Sequence, residues 1–306
     1  MNTPEVLSNK IKAEAARLGF SACGITSANL STNREHLSRW LDKGYQADMA
    51  YLENNFDKRC NPQLLVEDAR SVICVALNYY PQKKLRDDQL QFAYYAYGKD
   101  YHDIMKEKLN SLLNYINMEL ISVKGRVFCD TAPVLERYWA QQAGLGWTGK
   151  NTLLIIPHAG SYFFLGELII DAELAYDSPA VNRCGNCTRC LDACPTKALE
   201  SPYLLNANKC LSYLTIENKG EIEKEYVSKM GNYIYGCDRC QKACPWNRFA
   251  TPNTIDELQP SEAFMNMTPQ DWEKLSIEEY RTLFKGSAVK RAKYEGLMRN
   301  IKAINS

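Results

Sequence analysis

Eight cysteines between positions 184 and 244 constrain this chain more than any other feature. The first four stand in Cys184-Gly-Asn-Cys187-Thr-Arg-Cys190-Leu-Asp-Ala-Cys194-Pro195, a C-x2-C-x2-C-x3-C-P run. Three closely spaced thiolates can wrap three irons of a cubane, and the proline then turns the chain away; this is the spacing of bacterial two-cluster ferredoxins. The second run, Cys237-Asp-Arg-Cys240-Gln-Lys-Ala-Cys244-Pro245, repeats the ending but carries Ile234 where its first cysteine would stand. Cys210 is the other cysteine nearby, so the count closes with two [4Fe–4S] clusters. One takes Cys184, Cys187, Cys190 and Cys244, the other Cys194, Cys210, Cys237 and Cys240. Zinc sites are the bland alternative, but they need C-x2-C pairs separated by a longer spacer.

Cys23, Cys60, Cys74 and Cys129 are scattered and read as small buried hydrophobes. A disulfide framework does not fit, because residues 1–10 show no basic region, no apolar run of signal length and no twin arginine. The chain is expected in the cytoplasm, where thiols stay reduced. Its 306 residues, 45% of them hydrophobic, allow one large or two modest domains. A net charge of +1 does not announce a nucleic-acid binder, and a mean hydropathy of −0.40 excludes an integral membrane protein.

Leu7, Ile11, Ala15 and Leu18 recur at helical spacing over residues 4–19, and residues 20–25 follow as a strand. The apolar run 71–77 suits a strand buried on both faces, and residues 102–122 form a long amphipathic helix. A strand over 125–129 delivers Asp130 to its C-terminal end, with a helix over 134–143 after it. Residues 152–156 and 162–170 read as a hairpin through His158-Ala-Gly-Ser161. The expectation is a mixed α/β or α+β domain over 1–180, a ferredoxin-like module over 181–250 and a helical basic segment over 251–306. Within residues 281–306, Arg281, Lys285, Lys290, Arg291, Lys293, Arg299 and Lys302 stand against Glu295 alone, which suits an RNA backbone or a solvated helix face.

Gly144-Leu-Gly-Trp-Thr-Gly149-Lys150-Asn151 imitates a P-loop, but Asn151 replaces the Mg²⁺-binding hydroxyl and a helix precedes it, which argues against an NTPase. Its glycines and Lys150 leave room for a polar ligand. Asp130 has two readings, as a helix cap before Pro133 or as a carboxylic acid at a sheet edge. Of the three histidines, His36, His102 and His158, none stands in the D-x-H-x-x-G sequence that replaces a corrinoid's lower ligand, so histidine-ligated cobalt is disfavoured.

These residues together resemble the epoxyqueuosine reductases. The likeness runs through Lys58-Arg59-Cys-Asn-Pro62, Tyr97-Gly98-Lys-Asp100-Tyr101-His102, Asp130-Thr-Ala-Pro133, Gly144 to Asn151, the eight cysteines and Asn208-Lys-Cys210-Leu-Ser212-Tyr-Leu-Thr215. It implies an N-terminal domain that binds cob(II)alamin, electrons passing from the clusters to cobalt, and reduction of epoxyqueuosine to queuosine in tRNA with loss of water. Asp130 then becomes the proton donor, with a raised pKa so that it is protonated at neutral pH. Arg59, Tyr97, Asp130, Lys150, Asn151, Leu154, Ser212 and Asp238 are the implied corrin contacts, while Lys219 and the basic segment are implied to meet tRNA. The partners implied are tRNA and an external flavodoxin, ferredoxin or reductase as electron donor, with no membrane and a monomeric protein. Longer members of the family carry a helical-repeat extension beyond the position of Ser306, so what it adds to RNA binding would be dispensable here or supplied by residues 250–306. A reductive dehalogenase shares the cofactor set but carries an export signal. A ferredoxin with an added domain, or an RNA-binding module with purely structural clusters, are the remaining readings.

Overall fold

The computed structural model describes residues 3–305. Four strands, Ala22–Ser27, Ser71–Asn78, Phe163–Ile170 and Gly125–Phe128, lie side by side in that order, and every pairing is antiparallel. The fold is therefore α+β. Burial on both faces of Ser71–Asn78 comes from helices on either side of an antiparallel sheet. Ile73, Val75 and Leu77 share one core cluster with Leu7, Ile11, Met105, Leu109 and Leu112. Val72, Cys74 and Ala76 share the other with Trp139 and Ala140. Alternate side chains of one strand thus feed two cores, and each fully buried Leu or Ile contributes about 1.5–3 kcal/mol.

The flanking helices start where their caps stand. Thr3 Oγ1 accepts the Val6 N–H ahead of Pro4–Arg17, and Asp100 Oδ1 accepts the His102 N–H ahead of Tyr101–Tyr115. The second helix ends at Tyr115 in a π-helical turn, Ile116–Leu120, short of the expected Ser122.

The expected hairpin over 152–170 does not form. Only a single bridge joins Ile156 to Gly160; Leu154–Ile155 pairs with Trp147–Thr148, and Phe163–Ile170 enters the central sheet. Seven of the eight residues of that strand are buried, and a two-residue partner could not cover them. Two long neighbours can.

In the cysteine-rich part, Arg189–Asp192 and Arg239–Lys242 are four-residue helices in contact with one another. Tyr233–Tyr235 pairs in parallel with Gln91–Phe92, which ties this part to the chain that precedes it. The C-terminal segment is no loose tail: Phe264, Trp272, Phe284, Leu297 and Ile301 belong to the same core cluster as Phe92 and Tyr235. Asn300, fully buried, donates to the carbonyls of Thr215 and Ile234, both at 2.8 Å. Among the described residues no helix is long and apolar enough to cross a membrane.

Candidate active site and cluster sites

The Gly125–Phe128 strand delivers Asp130 just past its C-terminal end, with φ +55°. A non-glycine residue in the left-handed region is uncommon and concentrates at functional sites. Its Oδ2 accepts the Tyr101 hydroxyl at 2.6 Å and lies 3.2 Å from His102 Nε2. His102 Nδ1 lies 2.6 Å from Asp100 Oδ1, so one imidazole bridges two carboxylates. Tyr101 stacks between His102 and Phe164, at 4.2 and 4.1 Å between ring centroids, and holds the bridge in place.

Those contacts decide where the proton sits. Hydrogen bonds to Asp100 and Asp130 push His102 up to about 9, against the opposing effect of burial. Burial raises Asp130, but hydrogen bonds from His102 and Tyr101 outweigh it and hold the carboxyl below its ordinary value. The expectation of a raised Asp130 is therefore corrected. At neutral pH the imidazole of His102 carries the proton, and Asp130 is its carboxylate partner. The helix-cap reading of Asp130 is overturned as well. The following helix begins at Glu136 with Leu135 at its cap and no side-chain cap bond, and Asp130 is itself the donor: its N–H is accepted by Glu136 Oε1.

Behind that bond lie two neighbouring acids. Burial, then the neighbouring Asp130, pushes Glu136 up to about 8. Glu167, fully buried on the central strand with both carboxyl oxygens unpartnered, is pushed well up by burial and by Glu136. Across from Asp130, Arg59 donates to the Tyr51 carbonyl at 2.8 Å, and Arg291 grips Glu217 through two bonds of 2.8 Å. The Arg291 charge is felt at Asp130 and at Tyr51.

The other residues singled out in the sequence are spread around this centre. Lys150 donates to the carbonyls of Gly185 at 2.7 Å and Cys187 at 3.0 Å, so its cation braces the first cysteine loop. Asn151 is buried with Nδ2 unpartnered, as is Arg59 Nε. Leu154 packs in the second core cluster. A Cβ on Gly146 would stand 2.2 Å from the Ile155 carbonyl oxygen, so this glycine serves close approach to the paired strand. Ser212 is half-buried on the Leu211–Ile216 helix that opens at Cys210. Tyr97 and Asp238 are not brought to Asp130. Tyr97 is buried beside Tyr94 and Phe264, its hydroxyl accepting the Leu85 N–H. Asp238 is buried, accepts the Tyr94 N–H at 2.7 Å, and is pushed up to about 6 by burial. Lys219 is exposed. Of the basic segment, Arg291 and Arg299 are spent internally, the latter on the carbonyls of Asn218, Gly220 and Leu214.

The eight thiols fall into two neighbourhoods. Cys190 feels Cys244 and Cys184, and Cys244 feels Cys184 and Cys187. Cys240 feels Cys210, Cys237 and Cys194. Burial raises Cys190, Cys210, Cys237, Cys240 and Cys244 as thiols, Cys237 to about 12. Donors already point at two of the eight sulfurs: Trp147 Nε1 lies 3.3 Å from Cys184 Sγ, and the Ala198 N–H lies 3.2 Å from Cys194 Sγ.

Comparison with known proteins decides the family. A family model for a 4Fe-4S double cluster binding domain matches residues 183–247, and one described as "Epoxyqueuosine reductase QueG, DUF1730" matches residues 59–131. The chain is 47% identical over 302 residues to a curated epoxyqueuosine reductase of Cellulophaga algicola, covering 98% of this chain and 99% of the relative. The chain belongs to the epoxyqueuosine reductase family. It is an oxidoreductase, and its eight-cysteine segment is a double [4Fe–4S] domain. Among solved structures, an epoxyqueuosine reductase with an epoxyqueuosine-modified tRNA-Tyr stem loop is similar at TM-score 0.88 and 30% identity, covering 97% of this chain and 80% of that one. The Bacillus subtilis enzyme, described with its catalytic aspartate loop swung out of the active site, is similar at TM-score 0.89 and 30% identity, with the same shares covered.

Sequence reasoning selected Asp130 but missed Asp100, Tyr101, His102, Glu136 and Glu167. A signal existed for three of them. Asp100-Tyr101-His102 opens a helix, where a histidine in the first turn is held close to its capping aspartate.

Proposed function

We propose that this chain reduces the epoxide of epoxyqueuosine in tRNA to the alkene of queuosine, using cobalamin and its two clusters, with Asp130 and His102 as the acid. The observation that carries the reading is the Asp130 carboxylate held at positive φ between Tyr101 and the imidazole of His102, in a chain of this family. Removing the oxygen takes two electrons and two protons and releases one water. The alkoxide is a poor leaving group unless it is protonated.

The residues present suit a corrinoid. Two donors, Arg59 Nε and Asn151 Nδ2, are buried without a protein partner, and the carboxamide oxygens and phosphate of a corrinoid are acceptors. When bound, cobalamin supplies the electrons at low potential to the substrate carbon. The chain's own part is proton management. His102 stores a proton one hydrogen bond behind Asp130, Asp100 keeps its ring oriented, and Asp130 hands the proton to the departing oxygen. Tyr101 holds the Asp130 carboxyl and the bond from the Asp130 N–H to Glu136 holds its backbone. The cysteine sets Cys184, Cys187, Cys190, Cys244 and Cys194, Cys210, Cys237, Cys240 are the proposed ligands of the two clusters. Lys219 and the exposed cations Lys285, Lys290 and Lys302 are the proposed RNA contacts. An external electron donor and action as a cytoplasmic monomer complete the reading.

The test is Asp130→Asn. The variant should keep its iron and its corrinoid while turnover falls about 10²-fold or more; turnover at the wild-type rate overturns the role.

A further inference from the structure

The placement of the two cysteine sets gives an electron relay between them a direction. The Leu211–Ile216 helix starts from Cys210 and is followed by Glu217, which is bonded to Arg291, whose charge reaches Asp130. In the proposed relay the cluster that includes Cys210 is the inner one. Cys244, from the other cysteine set, forms part of the wall of a cleft of about 360 Å³. Its floor carries Tyr80, Tyr94 and Tyr162, and its rim carries the exposed Arg189, Lys242 and Arg248. Lys84 Nζ stands 4.2 Å from the ring centroid of Tyr80, and Lys242 Nζ stands 4.9 Å from that of Tyr94, so the cations are held over the aromatic floor. Among the described residues that line the cleft, none is acidic.

We propose that this cleft is the docking surface for a small acidic one-electron carrier protein, which reduces the outer cluster held by Cys184, Cys187, Cys190 and Cys244. Charge complementarity selects the occupant, because like-signed cations steer an acidic partner to a face that a cluster ligand lines. In each docking event one electron leaves the reduced carrier and takes the cluster from the 2+ to the 1+ state. No bond forms or breaks and no proton moves, and two events supply the two electrons of the reaction. RNA is also anionic, but the cleft lies against the outer cluster rather than Asp130.

The experiment uses full-length protein with both clusters and neither corrinoid nor RNA, so its outcome is independent of the substrate assignment. Reduced plant-type acidic [2Fe–2S] ferredoxin is the probe. Cluster bleaching is followed by stopped flow, and affinity for oxidised ferredoxin is followed by titration. In Lys84→Glu/Lys242→Glu the ferredoxin rate constant should fall about tenfold or more at low salt and Kd should rise by a similar factor. Reduction by dithionite should be unchanged, and Lys84→Arg/Lys242→Arg should retain the wild-type rate. If the double variant loses iron, Lys84→Glu alone, away from the cysteines, is read the same way. An unchanged ferredoxin rate in an iron-replete reversal variant overturns the proposal. So does a variant that loses affinity for a tRNA stem loop while its ferredoxin rate stays the same.

Discussion

His102 shows how a residue's role can be set by what lies on either side of it. With the imidazole between Asp100 and Asp130, its pKa stands raised from the ordinary 6.5 to about 9. A group raised in the folded state contributes stability fully below its unfolded pKa and loses it as pH rises through the folded one. The window here is from about 6.5 to about 9. The acid needed for the reaction is lost over the upper part of the same window. Turnover of the wild type should therefore decline as pH rises through about 9. In His102→Gln, turnover at pH 7 should drop by about 10²-fold and the decline near pH 9 should vanish. Rate profiles of the two proteins check this; an unaltered alkaline limb in the variant removes His102 from the acid. Asp130 was legible in the sequence because a strand end and a motif mark it. Its low pKa was not, since that depends on side chains 28 and 29 positions away. Glu167 was hidden for a similar reason: an isolated acid in the apolar run 163–170 gives no hint of which face it takes.

At the scale of elements, the helices Pro4–Arg17 and Tyr101–Tyr115 were readable from periodicity, and the strand over 71–77 from its continuous apolar run. Their partners were not. Apolar runs at 152–156 and 162–170 are adjacent in sequence, but the longer one buries more surface by joining Ser71–Asn78 and Gly125–Phe128 than by folding back. The C-terminal helix Lys293–Ile304 is another case: its basic residues suggested an RNA-facing or solvated face, and Lys293 and Lys302 are exposed, but the opposite face, which buries Leu297, Asn300 and Ile301, was not read. Asn300 joins that helix to the one after Cys210 and to strand Tyr233–Tyr235. Asn300→Ala leaves the Thr215 and Ile234 carbonyls unsatisfied and should cost about 1–3 kcal/mol. Thermal unfolding of the iron-replete protein measures it, and a Tm equal to that of wild type contradicts the clamp.

On the scale of the whole molecule, the cysteine spacing carried the most information, because a cubane dictates its ligands locally. The proposed crossed set would also join chain segments far apart, since Cys244 feels Cys184 and Cys187, and Cys240 feels Cys194 and Cys210. Cys244→Ala should then damage the cluster held by Cys184, Cys187 and Cys190 and spare the other. Electron paramagnetic resonance of the reduced variant distinguishes the two, and loss of the inner cluster instead would refute the pairing. How the basic segment packs was beyond sequence reasoning, since Arg291 and Arg299 find partners only once the cluster module is folded.

The central claim is that this chain turns an epoxide into an alkene on tRNA. It is tested most directly by incubating the anaerobically reconstituted protein, loaded with iron, sulfide and cobalamin, with reductant and epoxyqueuosine-containing tRNA, then digesting the RNA and weighing its nucleosides. The account predicts queuosine, lighter than its precursor by one oxygen and formed only when cobalamin is present. Unchanged epoxyqueuosine in a preparation that retains cobalamin and both clusters would contradict it.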